Sequence, residues 1–296
     1  MTDLDVGLIL PSYRAGATVE SIDAGTATAA RLGWTSVFTT DHLLVEPSKR
    51  SEDYYTLYDA LNTLAYLAAR QPTLKLGASV VVVPMRNAVE LAKELATIDS
   101  LSGGRLIVGV GVGWNETEFR HLGYGERFSQ RGAYLTEAVA IWRQLWSGDT
   151  GPFAGRFHSW DEVRFAPLPV QGADLPVWFG GRDEKALRRA GRLGQGYHSS
   201  ATGHDQLAVR IPIINAAAAE AGRPAPLISA RVRVQFGPNE QPFYMLAGAP
   251  DQMVAEIKAF QGIGTGHMAF DFAETNPDVL VGLMERFDRD VLAAFR

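Results

Sequence analysis

The chain has 296 residues, 46% hydrophobic and 21% charged, with a net charge of −5 and no cysteine. That supplies a sizeable core and excludes a disordered chain, a disulfide framework and a thiolate metal site. Acidic residues are in excess and no basic run occurs, so neither nucleic acid nor an anionic membrane is an expected partner.

The first residues, MTDLDVGLILPS, are too acidic and their apolar run too short for a signal peptide. No stretch approaches the ~18 apolar residues of a spanning helix, so a cytoplasmic protein is expected. Residues 6–10 read as a strand, followed by the turn Pro11-Ser12-Tyr13-Arg14-Ala15-Gly16-Ala17 and a helix over 17–32. A second strand over 36–39 runs into Thr40-Asp41-His42, with a helix over 55–70. A third strand over 76–83 precedes a helix over 89–101, where Leu91, Leu95 and Ile98 recur at helical spacing. The fourth, 106–110, continues as Gly111-Val112-Gly113-Trp114-Asn115. A helix over 134–146 then places Leu135, Ala138, Val139, Trp142 and Leu145 on one face. Residues 147–176, rich in Gly and Pro, read as an insertion, a hairpin being its expected form. Strands over 177–180, 196–198, 228–236 and 267–272 follow, with helices over 183–193, 204–222, 250–261 and 277–295.

Eight strand–helix alternations without a polar linker predict one α/β domain over 1–296. A doubly wound sheet would favour a glycine-rich GxGxxG turn after the first strand, and the turn here has none. A (β/α)8 barrel is therefore expected, with its functional groups where strands end and βα loops begin.

That placement rule sorts the motifs. Ser102-Gly103-Gly104-Arg105 joins a helix to a strand, on the stabilising face, and reads as a helix stop. Gly180-Gly181-Arg182 follows a strand and opens a helix, so backbone N–H groups and an arginine are available to a phosphate. The competing reading is a tight turn with Asp183 as an N-cap. Gly109, Gly111 and Gly113 bare one face of a strand for a flat ligand, or else allow close packing or a bulge. Asp41-His42 ends the second strand, where an imidazole is placed to carry a proton or stabilise an anion. His198, ending the sixth strand, is placed to line the barrel mouth. His121, His158 and His204 are expected to be solvated. Neither the helical HxxxH spacing of a metal site nor GxSxG occurs.

Together these segments resemble the luciferase-like monooxygenase superfamily. The resemblance is carried by TTDH, by GASVVVVPMRNAVELAKELATIDSLSGGR and by LIVGVGVGWNETEF. It continues through the helix with Arg131, Glu137 and Leu145-Trp146 and ends with PVWFGGR, covering roughly residues 5–200. The branch it most resembles uses the deazaflavin coenzyme F420; another uses reduced FMN and oxygen. The resemblance implies cofactor and substrate contacts for Asp41 and His42, and a non-prolyl cis peptide at Ser79–Val80 behind the ring. It implies cofactor contacts at Gly111, Gly113 and Asn115, and phosphate contacts at Gly180, Gly181 and Arg182. Trp114 stands where the sugar-phosphate dehydrogenases of this branch carry a catalytic glutamate, which argues against glucose-6-phosphate and for an apolar or aromatic pocket wall. The expected activity is hydride transfer between a deazaflavin and a small organic substrate. The alternatives are an FMN-dependent monooxygenase and a silent barrel that only carries cofactor. A homodimer is the implied assembly.

Overall fold

In the computed structural model, which describes residues 4–48 and 52–296, every strand of the main sheet lies parallel to its neighbours and the sheet closes on itself. The elements are, in order, β1 (Asp5–Ile9), α1 (Val19–Arg31), β2 (Ser36–Thr39), α2 (Ala60–Arg70), β3 (Lys75–Ala78), β4 (Val81–Val82) and α3 (Ala88–Ser102). Next come β5 (Leu106–Gly111), α4 (Glu116–His121), α5 (Arg131–Trp146), β6 (Phe153–Ala154), β7 (Ser159–Trp160), β8 (Val177–Phe179), α6 (Glu184–Leu193) and β9 (Gly196–Ser200). The chain ends with α7 (His204–Glu220), β10 (Leu227–Phe236), β11 (Leu246–Gly248), α8 (Pro250–Gly262), β12 (Thr265–Asp271) and α9 (Pro277–Asp290). Closure runs β1-β2-β3-β5-β8-β9-β10-β12 and back to β1, eight staves of a (β/α)8 barrel. Residues 153–160 of the expected insertion form a small antiparallel hairpin, β6-β7.

Several helices start where side chains can satisfy their free N–H groups. Thr18 caps α1 in a capping box with Ser21, Asp59 caps α2, Asn87 caps α3 and Asn276 caps α9. Gly103 stops α3 in a left-handed conformation, as the sequence predicts, and Arg105 donates to the carbonyl oxygens of Ser102, Leu74 and Ala68. The apolar face of α5 lies on α3, where the stacked rings of Trp142 and Trp146 donate to the Ala88 and Ala92 carbonyls.

Inside the barrel, Phe38 and Trp178 fill the centre, with ring centroids 5.9 Å apart, beside Ile9, Ile107 and Ala269. Two rings fit only because their neighbours lack side chains. A Cβ at Gly77 would lie 2.3 Å from Phe38, and one at Gly196 would lie 2.4 Å from Trp178.

The third stave departs from the sequence expectation. Residues 76–83 read as one strand, but the ladder breaks between β3 and β4, and the Ser79–Val80 peptide between them is cis.

Candidate active site

A cavity of about 640 Å³ opens at the C-terminal ends of the staves. Asp41, His42, Ser79, Val80, Gly111, Gly113, Trp114, Gly180, Gly181 and Arg182 all line it. The structure thus gathers ten of the sequence-derived site residues around one space. Asn115 and His198 do not line it.

Its floor is the segment around the cis bond. The Val80 side chain stands over the bared face of β5: a Cβ at Gly111 would lie 2.5 Å from Val80 Cγ2. Glycine at 111 therefore makes room for Val80 rather than for a ligand, so the close-packing reading of the motif holds at that position. Gly180 behaves differently. A Cβ there would meet its nearest neighbour at an ordinary 3.4 Å, so protein packing does not require glycine. The absent side chain leaves open cavity space at this position. Gly181 has φ +126°, and a Cβ would lie 2.5 Å from that of Ala186, so the turn itself demands glycine. Asp183 also caps α6, accepting from Ala186 N at 2.8 Å, as the tight-turn reading expects. Arg182 is exposed and donates to the Ser200 carbonyl.

Asp41 is buried and occupied. Its Oδ2 accepts from Val82 N at 2.8 Å and its Oδ1 from Arg86 at 2.7 Å. The carboxylate thereby ties the end of β2 to the residues just past the cis bond. His42 is held between the rings of Tyr54, at 4.3 Å, and Trp114, at 5.6 Å. Its Nδ1 lies 2.7 Å from Oε2 of Glu118 on α4, leaving the Nε2 edge to the cavity. Glu118 is fully buried and its other oxygen accepts from Leu43 N and Leu44 N at 2.6 and 3.1 Å. Burial opposes ionisation of this carboxyl, but the His42 bond and the two amides outweigh it and hold its pKa below the ordinary value. Facing a carboxylate, Nδ1 carries the proton and Nε2 is left as the acceptor nitrogen.

Sequence reasoning missed Glu118, because α4 is too short to show a helical period. The capping residue ahead of it, Asn115, was the available signal. Asn115, expected at the cofactor, serves in this structure as the cap of α4: Oδ1 accepts from Thr117 N and Glu118 N, while Nδ2 donates to Glu46. His198 is likewise corrected from pocket wall to barrel interior. It belongs to a buried chain of hydrogen bonds: Ser79 Oγ to His198 Nε2 at 2.8 Å, His198 Nδ1 to Ser229 at 2.7 Å, Ser229 to His267 Nδ1 at 2.7 Å, and His267 Nε2 to Ser36 at 2.9 Å. Burial pushes both imidazoles below their ordinary pKa, His267 to about 3, so both are neutral in the fold. His158, expected in solvent, instead pairs with Glu137, which also accepts from Phe157 N and so fastens the hairpin to α5.

Sequence reasoning also missed a second part of the cavity wall, formed by Tyr13, Arg231 and Asp271. Tyr13 donates to Asp271 at 2.5 Å, and Arg14 grips the same carboxylate through two 3.0 Å bonds. Arg231 donates to the Tyr13 hydroxyl and, at 2.9 Å, to the Ser79 carbonyl. Burial resists charge on Asp271, but Arg14 and Arg231 hold its carboxyl far below the usual range. Arg231 and Arg233 alternate on a largely apolar strand, and that pattern was the signal available for this wall.

The model of the family described as luciferase-like monooxygenase matches residues 9–243. Pyrimidine monooxygenase RutA of Allorhizobium ampelinum is 31% identical over 58% of this chain and 48% of its own length. F420-dependent glucose-6-phosphate dehydrogenase of Nocardia farcinica is 30% identical over 67% of this chain and 61% of its own length. The chain thus spans about half to three fifths of these curated relatives. Among solved structures, an F420-dependent secondary alcohol dehydrogenase in complex with an F420-acetone adduct superposes with a TM-score of 0.84 over the whole of both chains. At 19% identity, that likeness is one of fold.

Proposed function

This chain belongs to the luciferase-like monooxygenase family, and on that premise we propose that it is an oxidoreductase moving a hydride between coenzyme F420 and a small organic substrate. The observation that carries the reading is His42, whose Nδ1 is fixed by a buried carboxylate while its Nε2 edge faces the cavity. The deazaflavin, when bound, supplies the redox chemistry; the barrel supplies orientation, electrostatics and proton handling.

The residues present fit such a group. Val80 and the Ser79–Val80 peptide offer a flat floor, backed by Gly111. The open face of Gly180, with Gly181 and Arg182, suits a phosphate at the start of α6. His42 is the catalytic residue, holding or releasing a proton at Nε2 as charge develops on the substrate. Glu118 is its positioning residue. Trp114 and Tyr54 flank the imidazole and favour an apolar or aromatic substrate that keeps water from the reacting atoms.

Fluorescence titration of purified protein with F420 and with FMN tests the cofactor assignment, and tighter binding of F420 is expected. A clear preference for FMN would overturn it in favour of a monooxygenase, the activity named for the RutA relative. His42→Ala should bind cofactor nearly as well as the wild type yet lose about 10²–10⁴-fold in turnover. Wild-type turnover in that variant would reduce His42 to a part of the wall.

A further inference from the structure

Strand β10 outruns the barrel. Its pairing with β12 stops at Arg233, opposite Asp271, and Val234, Gln235 and Phe236 pair with β11 instead. A second pocket of about 510 Å³ opens there, between this overhang, the loop that follows it and α9. Arg233 lines both this pocket and the cavity, so its side chain stands at the junction of the two. The reading above gives the pocket no task.

Its lining is apolar with two cations. Val234, Phe236, Met245, Phe272 and Leu283 supply the apolar surface, of which Met245 and Phe272 are buried. Arg233 and Arg286 supply the charge, and among the described residues no carboxylate lines the pocket. Neither arginine is fully neutralised from outside it. Arg233 donates to Asp53 at 2.7 Å, but Asp53 also pairs with Arg14 at 3.4 Å, and Arg14 and Arg231 both take Asp271. Three arginines of this wall therefore share two carboxylates, in a chain whose net charge is −5. Arg286 lies 3.9 Å from the centre of the Phe236 ring and reaches Asp290 only at 3.6 Å. An arginine held along an aromatic ring keeps N–H donors for an anion.

We propose that this pocket holds the far end of the substrate, and that this end is a carboxylate or sulfonate-type anion on an apolar body. The reacting end sits at His42, the body of the molecule passes Arg233, and the anion lies with Arg233 and Arg286. Apolar surface in the pocket holds the body by burial, and the two cations answer the charge that burial would otherwise penalise. The inference rests on the oxidoreductase reading above, which places the reacting end.

Two dyes test the pocket. 8-Anilinonaphthalene-1-sulfonate and N-phenyl-1-naphthylamine share an aromatic body, only the first carries an anion, and both brighten on leaving water. The proteins are the wild type, Arg286→Gln and Leu283→Trp, both sites on α9 and outside the cavity, with circular dichroism to certify the fold. The wild type should bind the sulfonate about fivefold tighter than the neutral dye at low salt, the effect of one favourable exposed ion pair. Arg286→Gln should bring the two dyes level with the neutral dye's affinity unchanged. Leu283→Trp, which fills the pocket, should weaken both. Equal affinities in the wild type, a preference that survives Arg286→Gln, or binding indifferent to Leu283→Trp each overturn the pocket assignment. Secondary alcohols ending in a carboxylate are then compared with their methyl esters as substrates for F420 reduction. The acids should show about fivefold lower KM at unchanged kcat, and Arg286→Gln should abolish the difference. Equal KM values, or oxidation of neither class by F420-loaded protein, overturn the substrate assignment. Failure of F420 to bind overturns the cofactor reading instead and leaves the dyes to decide the pocket.

Discussion

Acid should unfold this barrel through its two interior histidines. His198 and His267 are neutral when folded, the first with a pKa well below 6.5 and the second at about 3, whereas both return to the ordinary 6.5 when the chain unfolds. Below pH 6.5 the unfolded state therefore binds more protons, and stability falls as pH falls, until the folded imidazoles themselves titrate. His267, with its folded pKa at about 3, costs about 1.4 kcal/mol per pH unit below 6.5 and about 2 kcal/mol between pH 6.5 and 4.5, and His198 adds to the loss in the same direction. With about 2.1 cal/mol/K per residue of unfolding entropy, the His267 part alone would lower Tm by about 2 °C per pH unit in a chain of this length. Asp271, depressed by its arginines, contributes its own loss only as pH falls below the ordinary carboxylate range, outside this window. Urea unfolding followed by tryptophan fluorescence from pH 7 to 4.5 measures the slope. His267→Gln, which keeps an amide toward Ser36, should lower the slope by about 1.4 kcal/mol per unit whatever its absolute stability. A slope unchanged by that substitution would refute the reasoning.

The site makes further commitments. Glu118→Gln keeps shape but removes the charge behind His42; a charge-assisted hydrogen bond of about 1.5–3 kcal/mol predicts roughly a 10–150-fold fall in turnover. Cofactor affinity, read by fluorescence, should barely change; an equal loss in binding would mean that Glu118 shapes the cavity instead. Gly111→Ala pushes Val80 into the cavity, so about 1–3 kcal/mol of stability and much of the cofactor affinity should go together in denaturation and titration experiments. An unaffected affinity would remove Val80 from the floor. Gly181→Ala sets a side chain at φ +126° against Ala186, and should lower stability by about 1–3 kcal/mol while weakening a phosphorylated ligand more than its dephosphorylated form. Equal effects on the two ligands would confine Gly181 to the turn.

The elements themselves were legible in sequence because their signals are local. Strands buried on both faces read as Val- and Ile-rich runs, helices show their period, and 36–39 matches β2 to the residue. Rejecting a dinucleotide turn after the first strand, and placing chemistry at strand ends, followed from connectivity alone. So did the mouth positions of Asp41, His42, Trp114 and Gly180-Gly181-Arg182, since a residue just past a barrel strand has one place to go.

Partnership was what only the tertiary structure decided. His42 and Glu118 are 76 residues apart, and Tyr13 and Asp271 are 258 apart; such pairs exist only because a closed barrel brings every stave to one rim. The same closure decided which residues fall short of the rim. His198 ends within a strand and points inward to Ser79 and Ser229, while Asn115 is consumed by the cap of a helix too short to announce itself. The glycines of β5 are resolved in the same way. Sequence says only that a face is bare, and it takes the neighbouring stave, broken at Ser79–Val80, to show whose side chain fills it.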